Sequence, residues 1–132
     1  MRGETAAQIA LGLLAAGLVA AGLLAVGGPG TARIERQDDV RLEDLRRLGD
    51  YVRCVADTQD RKLPEALRPV ETCEGDQRFE DPHSGAAYRY EKVTDTAFRL
   101  CADFEDIPRL NGLRSGGIDP ETGCLQFTYT PR

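Results

Sequence analysis

The chain has 132 residues and a formal net charge of −5 at pH 7, and no basic cluster stands apart from acidic neighbours. This length allows one domain with an appended segment. The acidic balance disfavours nucleic-acid binding, because that binding depends on Lys and Arg side chains that neutralise phosphates.

A long apolar segment lies near the N-terminus. No charged residue occurs from Ile9 to Val26. An α-helix extended to Thr5 and Gly28 would be roughly 35 Å long, whereas the hydrocarbon core of a bilayer is about 30 Å thick. A buried core helix is a poor alternative, because Leu, Ala, Val and Gly surround the whole helix and leave no polar face. We therefore predict a transmembrane helix or signal anchor over residues 1–28.

A cleavable signal peptide is the alternative for this segment. Residues 18–22 and 24–27 offer small side chains at plausible cleavage spacing. The apolar run is longer than the roughly 7–15 residues usual in a signal peptide, which favours a retained anchor. Flanking charges nearly cancel on both sides, so they give little indication of orientation.

The cysteines indicate the compartment. Cys54, Cys73, Cys101 and Cys124 are widely spaced, with no Cys-x-x-Cys pair and no nearby His. That spacing disfavours a zinc site. An even number behind an export-type segment is typical of two disulfides in an oxidising compartment, which favours an inner-membrane anchor with the domain in the periplasm or outside. Free buried thiols are the alternative, and they would imply a cytoplasmic domain.

Strand alternation selects among the three possible pairings. Around Cys101, the apolar Phe98 and Leu100 share the opposite face of a strand, and Cys124 is likewise opposite Leu125 and its apolar neighbours. Both thiols should then point away from the core, on one face of the sheet. If the two strands are neighbours, Cys101 pairs with Cys124. By elimination Cys54 pairs with Cys73.

The remaining pattern predicts an α+β fold. Residues 27–30 interrupt the first helix, and residues 29–37 are predicted to be a linker. An amphipathic helix is predicted from about Asp38 to Thr58, and it should pack on a small three-stranded antiparallel sheet within a domain over residues 38–132. Its apolar stripe is Leu42, Leu45, Leu48, Val52 and Val55. The predicted strands are Tyr88–Glu91, Ala97–Phe104 and Cys124–Thr130, and their aromatic residues are expected to belong to the core.

Two motifs resemble known families. The amphipathic helix, then Leu63-Pro64, then Asp81-Pro82-x-Ser84-Gly85-x-x-Tyr88-x-Tyr90 before a hairpin resembles the globular part of type II secretion pseudopilins. Residues 96–105 and 123–125 resemble a group of uncharacterised single-pass bacterial membrane proteins with a cysteine in each of the last two strands. The resemblance implies a pilin-like domain.

The resemblance also implies a possible metal site. Major pseudopilins bind calcium in the loop after the hairpin, where this chain has the acids Asp103, Glu105, Asp106 and Asp119. These acids follow no ordered calcium-loop pattern, and surface acids are the alternative. The chain also differs from pilins, since Arg2-Gly3-Glu4 does not match their processing site. We therefore expect a tether rather than an assembly helix.

No catalytic constellation is evident in the sequence. His83 is the only histidine, and its position in a Pro-x-x-Gly turn favours an exposed loop over a general base. We expect a non-enzymatic interaction or structural module without a cofactor. The contacts we expect are with the membrane, through the N-terminal helix, and with a candidate protein partner at the sheet edge or the loop from Ile107 to Gly123. A pseudopilin-type subunit or accessory of a secretion or envelope assembly is the alternative function.

Overall fold

The computed structural model describes residues 2–113 and 117–131. The chain divides into two compact units, one ending at Ile34 and the other beginning at Glu35. The architecture is α+β, as predicted, with a long N-terminal helical region and a three-stranded antiparallel sheet.

Helix α1 spans Arg2–Val26 and carries the apolar segment. Its side chains from Gly3 onwards are exposed, up to 84% for Leu24 and 86% for Val26. One helical stretch near the N-terminus is long and apolar enough to cross a membrane, a property that a signal sequence shares. The helix ends where Gly27 adopts a φ of +84°, a left-handed conformation that glycine adopts without steric cost.

Helix α2 spans Pro29–Thr58 and starts well before the predicted position near Asp38. Residues 29–37, predicted to be a linker, are helical, and the break is confined to Gly27 and Gly28. Proline fits the first turn of a helix, because its missing N–H has no intrahelical partner there. The residues that follow lack an apolar stripe, so periodicity gave no sign of this first part of α2.

The inner face of α2 forms one side of the domain core. Leu42, Leu45, Leu48, Val52 and Val55 are all buried, which confirms the predicted stripe. Gly49 lies on the same face, and a Cβ atom there would come within 2.6 Å of the Phe127 ring. The Phe127 side chain of β3 therefore packs closely against the helix at a position without a side chain.

An irregular segment separates α2 from the sheet, as predicted. Asp60 and Arg61 have positive φ angles of 54° and 59° just after the helix, and the segment contains one short 3-10 helix, Glu71–Cys73. A tight turn follows at Asp81–Gly85. It is closed by bonds from Gly85 N to Asp81 O (2.8 Å) and from Asp81 N to Ala86 O (2.9 Å). This turn confirms the prediction made from its Pro and Gly positions.

The sheet has the strand order β1–β2–β3, with β1 at Arg89–Lys92, β2 at Ala97–Cys101 and β3 at Cys124–Thr128. Both pairings are antiparallel, and β2 places Phe98 opposite Phe127 and Cys101 opposite Cys124. The aromatic residues belong to the core, as predicted. Tyr88, Phe98 and Tyr129 are buried, while Tyr90, Phe104 and Phe127 pack against them.

A short helix lies where the sequence indicated only a loop. Helix α3 spans Ile107–Gly112 and buries Leu110. The Asp106 side chain caps it by accepting a hydrogen bond from Arg109 N (3.1 Å), and Pro108 lies in the first turn. Six residues are too few for a helical period, but an Asp two positions before a Pro was a usable capping signal. Residues 114–116 of the predicted contact loop lie outside the described residues.

Candidate functional site

The first predicted disulfide joins β2 to β3. Cys101 and Cys124 are bonded, and their Cα atoms are 3.9 Å apart. Ala102 N donates to Gly123 O and Tyr129 N donates to Thr96 O, so the cysteine pair lies at a position where the two strands exchange no backbone hydrogen bonds. Residues at such positions approach more closely than at hydrogen-bonded ones. The register of the sheet therefore places the two sulfur atoms together.

These cysteines lie on the sheet face opposite Phe98 and Leu100, as predicted, but they are not exposed there. Cys101 is 5% and Cys124 is 7% accessible. The chain before β3 pairs along the free edge of that strand, with Ile118 bridged to Leu125 and Asp119 N donating to Cys124 O at 2.9 Å. Alternation predicted the correct face, but it could not show that both cysteines would be buried there.

The second predicted disulfide joins α2 to the irregular segment. Cys54 on α2 is bonded to Cys73 in the 3-10 helix. Tyr51, one turn earlier, supports the same segment, since its hydroxyl donates to Arg68 O (2.6 Å) and accepts from Val70 N (2.8 Å). The Tyr51 ring also contacts Phe79 edge-on at 5.4 Å. Segment 59–80 is thus held to the helix by a covalent bond and by neighbouring contacts.

A cluster of buried charges lies beside the N-terminal part of the α2 inner face. Arg41 donates from Nε to Asp81 Oδ2 (2.6 Å) and from Nη1 to Asp38 Oδ1 (2.8 Å), and all three side chains are at most 5% exposed. Asp38 also accepts from the backbone N–H groups of Glu105 and Asp106. We call Asp38, Arg41 and Asp81 the buried charge cluster. It joins α2 to the turn before β1 and to the loop after β2.

The charges of the cluster stabilise one another. Burial by itself would raise the pKa of the Asp81 carboxyl, but hydrogen bonds from His83 N, Arg41 and Ser84 outweigh it and lower that pKa overall. Burial would likewise lower the pKa of Arg41, yet its bonds to Asp81 and Asp38 raise it. Both groups are therefore charged at neutral pH, as an ion pair requires.

Asp44 extends this polar contact by one further turn of the helix. It is 1% exposed, and its Oδ2 atom accepts a hydrogen bond of 2.8 Å from the Tyr88 hydroxyl. Burial and the neighbouring carboxylate raise the pKa of Tyr88 well above its ordinary value, so the phenol remains a donor. Arg78 Nη1 lies 3.6 Å from the other Asp44 oxygen.

Sequence reasoning missed Arg41 and Asp44, although one signal was present. Asp38, Arg41 and Asp44 are spaced three apart, and Arg41 lies four residues before Leu45, on the apolar stripe. A charged residue at a core position indicates a buried partner, because an unpaired buried charge is very costly. The partner, Asp81, is 40 residues away, and only the folded chain identifies it.

The sequence-predicted polar residues do not converge on one site. His83 is exposed, and its backbone N–H donates to Asp81 Oδ1 at 2.8 Å. Asp103 pairs with Arg89, Asp106 caps α3, and Asp119 accepts from Glu121 N. Within residues 2–113 and 117–131, no group of three or more His, Cys, Asp or Glu side chains is arranged to hold a metal ion.

Comparisons with protein-family models, curated proteins and solved structures found no match for this chain. The resemblance to pseudopilins therefore stays a prediction from the motifs.

Proposed function

We propose that this chain is a non-catalytic interaction or structural module, held at a membrane by α1 with its disulfide-bonded domain in the periplasm or outside the cell. The combination of an exposed apolar helix with two disulfides in the other unit carries this proposal. Disulfides persist in oxidising compartments and are rare in the cytosol. The same combination favours an inner-membrane anchor.

The non-catalytic assignment rests on how the charged side chains are used. Asp38, Arg41 and Asp81 satisfy one another and nearby backbone groups inside the domain. His83, the only histidine in the sequence, lies in an exposed turn. The buried charges thus join secondary-structure elements of the domain.

Membrane fractionation tests the anchor. The wild-type chain should remain in the membrane pellet after high-salt and carbonate washes. Substituting Leu14→Arg and Leu18→Arg should release it or block its insertion, because each charge near a helix centre costs about 2.5–3.5 kcal/mol of insertion. Thr31→Arg, outside α1, is the matched control and should remain in the pellet. A soluble wild-type chain with an N-terminus near Val26 would replace the anchor with a cleaved signal.

Thiol labelling tests the sidedness independently. In intact cells treated with a reductant, a membrane-impermeant alkylating reagent should label Cys54 first, and the buried cysteines more slowly as the reduced domain opens locally. Without reductant it should label none. Four cysteines that react with a permeant reagent without prior reduction would place the domain in the cytoplasm and contradict the proposal.

A pseudopilin-type subunit is the second candidate, favoured by a long helix packed on an antiparallel sheet. In that case calcium should stabilise the domain through acids after the hairpin, such as Asp103 and Asp119. A melting temperature that rises with calcium and falls with chelator would support this candidate. A melting temperature indifferent to both would count against it.

A further inference from the structure

The two disulfides differ in their access to solvent. Cys101, Cys124 and Cys73 are each at most 7% exposed, whereas Cys54 on α2 is partly exposed. Thiol–disulfide exchange needs a thiolate to reach one of the bonded sulfur atoms, and Cys54 is the cysteine that solvent reaches. Attack on Cys101–Cys124 requires a local opening of the domain, because both cysteines are buried.

Cys54 lies at the edge of two open surface grooves. One groove also contains Cys73 and has the charged residues Arg47, Asp50, Glu74 and Asp76. The other has Asp50, Arg53 and Asp57. Acids outnumber bases in both grooves, so the local field repels an anionic thiol and attracts a cationic one.

Opening the Cys54–Cys73 bond need not unfold the domain. Segment 59–80 keeps the two hydrogen bonds to the Tyr51 hydroxyl and the contact between Tyr51 and Phe79. The sheet keeps its own disulfide and packs on α2 through a core that does not include Cys54. Exchange at Cys54 is therefore a local event.

We propose that the Cys54–Cys73 disulfide is a site of thiol–disulfide exchange that prefers positively charged thiols. The incoming thiolate attacks Cys54 Sγ and forms a mixed disulfide. The Cys54–Cys73 bond breaks, and Cys73 leaves as a thiolate that takes up a proton. When the attacking molecule is a dithiol, its second thiol displaces Cys54, so the dithiol becomes a disulfide and both cysteines become thiols.

A timed thiol–disulfide exchange experiment on the full chain in detergent tests which of the two disulfides reacts. The chain is incubated at equal thiolate concentrations with cysteamine, whose thiolate carries an ammonium group, or with glutathione, whose thiolate has a net negative charge. It is then quenched with an alkylating reagent and mapped by mass spectrometry. Cys54 and Cys73 should be modified at least about tenfold faster than Cys101 and Cys124, because a buried bond reacts only after local opening. Equal rates at the two bonds, or faster reaction at Cys101–Cys124, would overturn the proposal.

The exchange rates of the two thiols at Cys54 test the charge preference separately. Cysteamine should react at Cys54 roughly threefold or more faster than glutathione at low salt, and the difference should shrink in 0.5 M salt. Glu74→Gln with Asp76→Asn should reduce the difference. Glu65→Gln with Asp95→Asn, which removes two acids around Lys92, is the matched control and should leave it unchanged. Equal rates for the two thiols in the wild-type chain would refute the charge preference.

Discussion

The inner face of helix α2 joins the rest of the domain in two different ways. From Leu45 to Ala56 it is apolar and buried against the sheet, while Asp38, Arg41 and Asp44 continue the same face as buried charges. Apolar packing is non-directional and tolerates small adjustments. A buried ion pair stabilises only when every partner is in place. The two ends of one helix should therefore respond differently to substitution and to pH.

We expect the largest loss of stability at the charged part of the α2 inner face. Arg41→Met removes the only cation within the buried charge cluster and leaves Asp38 and Asp81 buried without it, which should lower the free energy of unfolding by about 3–5 kcal/mol. Urea unfolding in detergent, followed by near-ultraviolet circular dichroism of the tyrosines, measures this loss.

Arg47→Met is the matched control for this prediction. Arg47 pairs with Glu43 on the exposed face of the same helix, and its loss should cost less than about 1 kcal/mol. If both substitutions cost the same small amount, the buried charges contribute no more than a surface pair.

We expect the next largest loss of stability at the apolar part of the α2 inner face. Leu48 is completely buried between α2 and the sheet, and Leu48→Ala should cost about 3 kcal/mol through lost burial and the cavity left behind. Val93→Ala, at a position that is 48% exposed, should stay within about 0.5 kcal/mol. A similar cost at both positions would mean that the core repacks around the missing side chain.

A smaller effect is expected for the hydrogen bond to Asp44. Tyr88→Phe removes the hydroxyl donor from a buried carboxylate and should cost about 1.5–3 kcal/mol. Tyr129→Phe removes a similar bond of 2.7 Å to Asp57, which is exposed, and water can replace that donor. The Tyr129 variant should thus lose clearly less stability in the same urea experiment. Equal losses would show that burial of the acceptor is unimportant here.

The smallest expected difference between the charged and the apolar parts of the α2 inner face is in how stability depends on pH. The folded-state pKa of Asp81 is lowered, so the stability it supplies is complete above its unfolded-state pKa of about 3.9 and is lost as the pH falls through the folded-state value. Asp81→Asn should flatten the fall in urea midpoint between pH 5 and pH 3. Leu48→Ala should keep the wild-type slope. A wild-type slope in the Asp81 variant would contradict this assignment.

Local patterns predicted much of the fold. The stripe from Leu42 to Val55, the turn at Asp81–Gly85 and the three strands each depend on neighbouring residues, and the structure contains all of them. Alternation placed Cys101 and Cys124 on one face of the sheet. The early start of α2 at Pro29 and the short helix α3 were missed, because neither carries enough apolar residues to establish a period.

The sequence by itself determined which segments are apolar and which residues share a face, because both follow from the spacing of side chains along a helix or strand. It thereby determined α1 as a candidate membrane span and indicated the two disulfide pairs. Only the tertiary structure decided that Arg41 meets Asp81, that Cys101 and Cys124 are buried, and that Cys54 remains within reach of solvent. These features join residues distant in sequence, and their burial depends on how the whole domain packs.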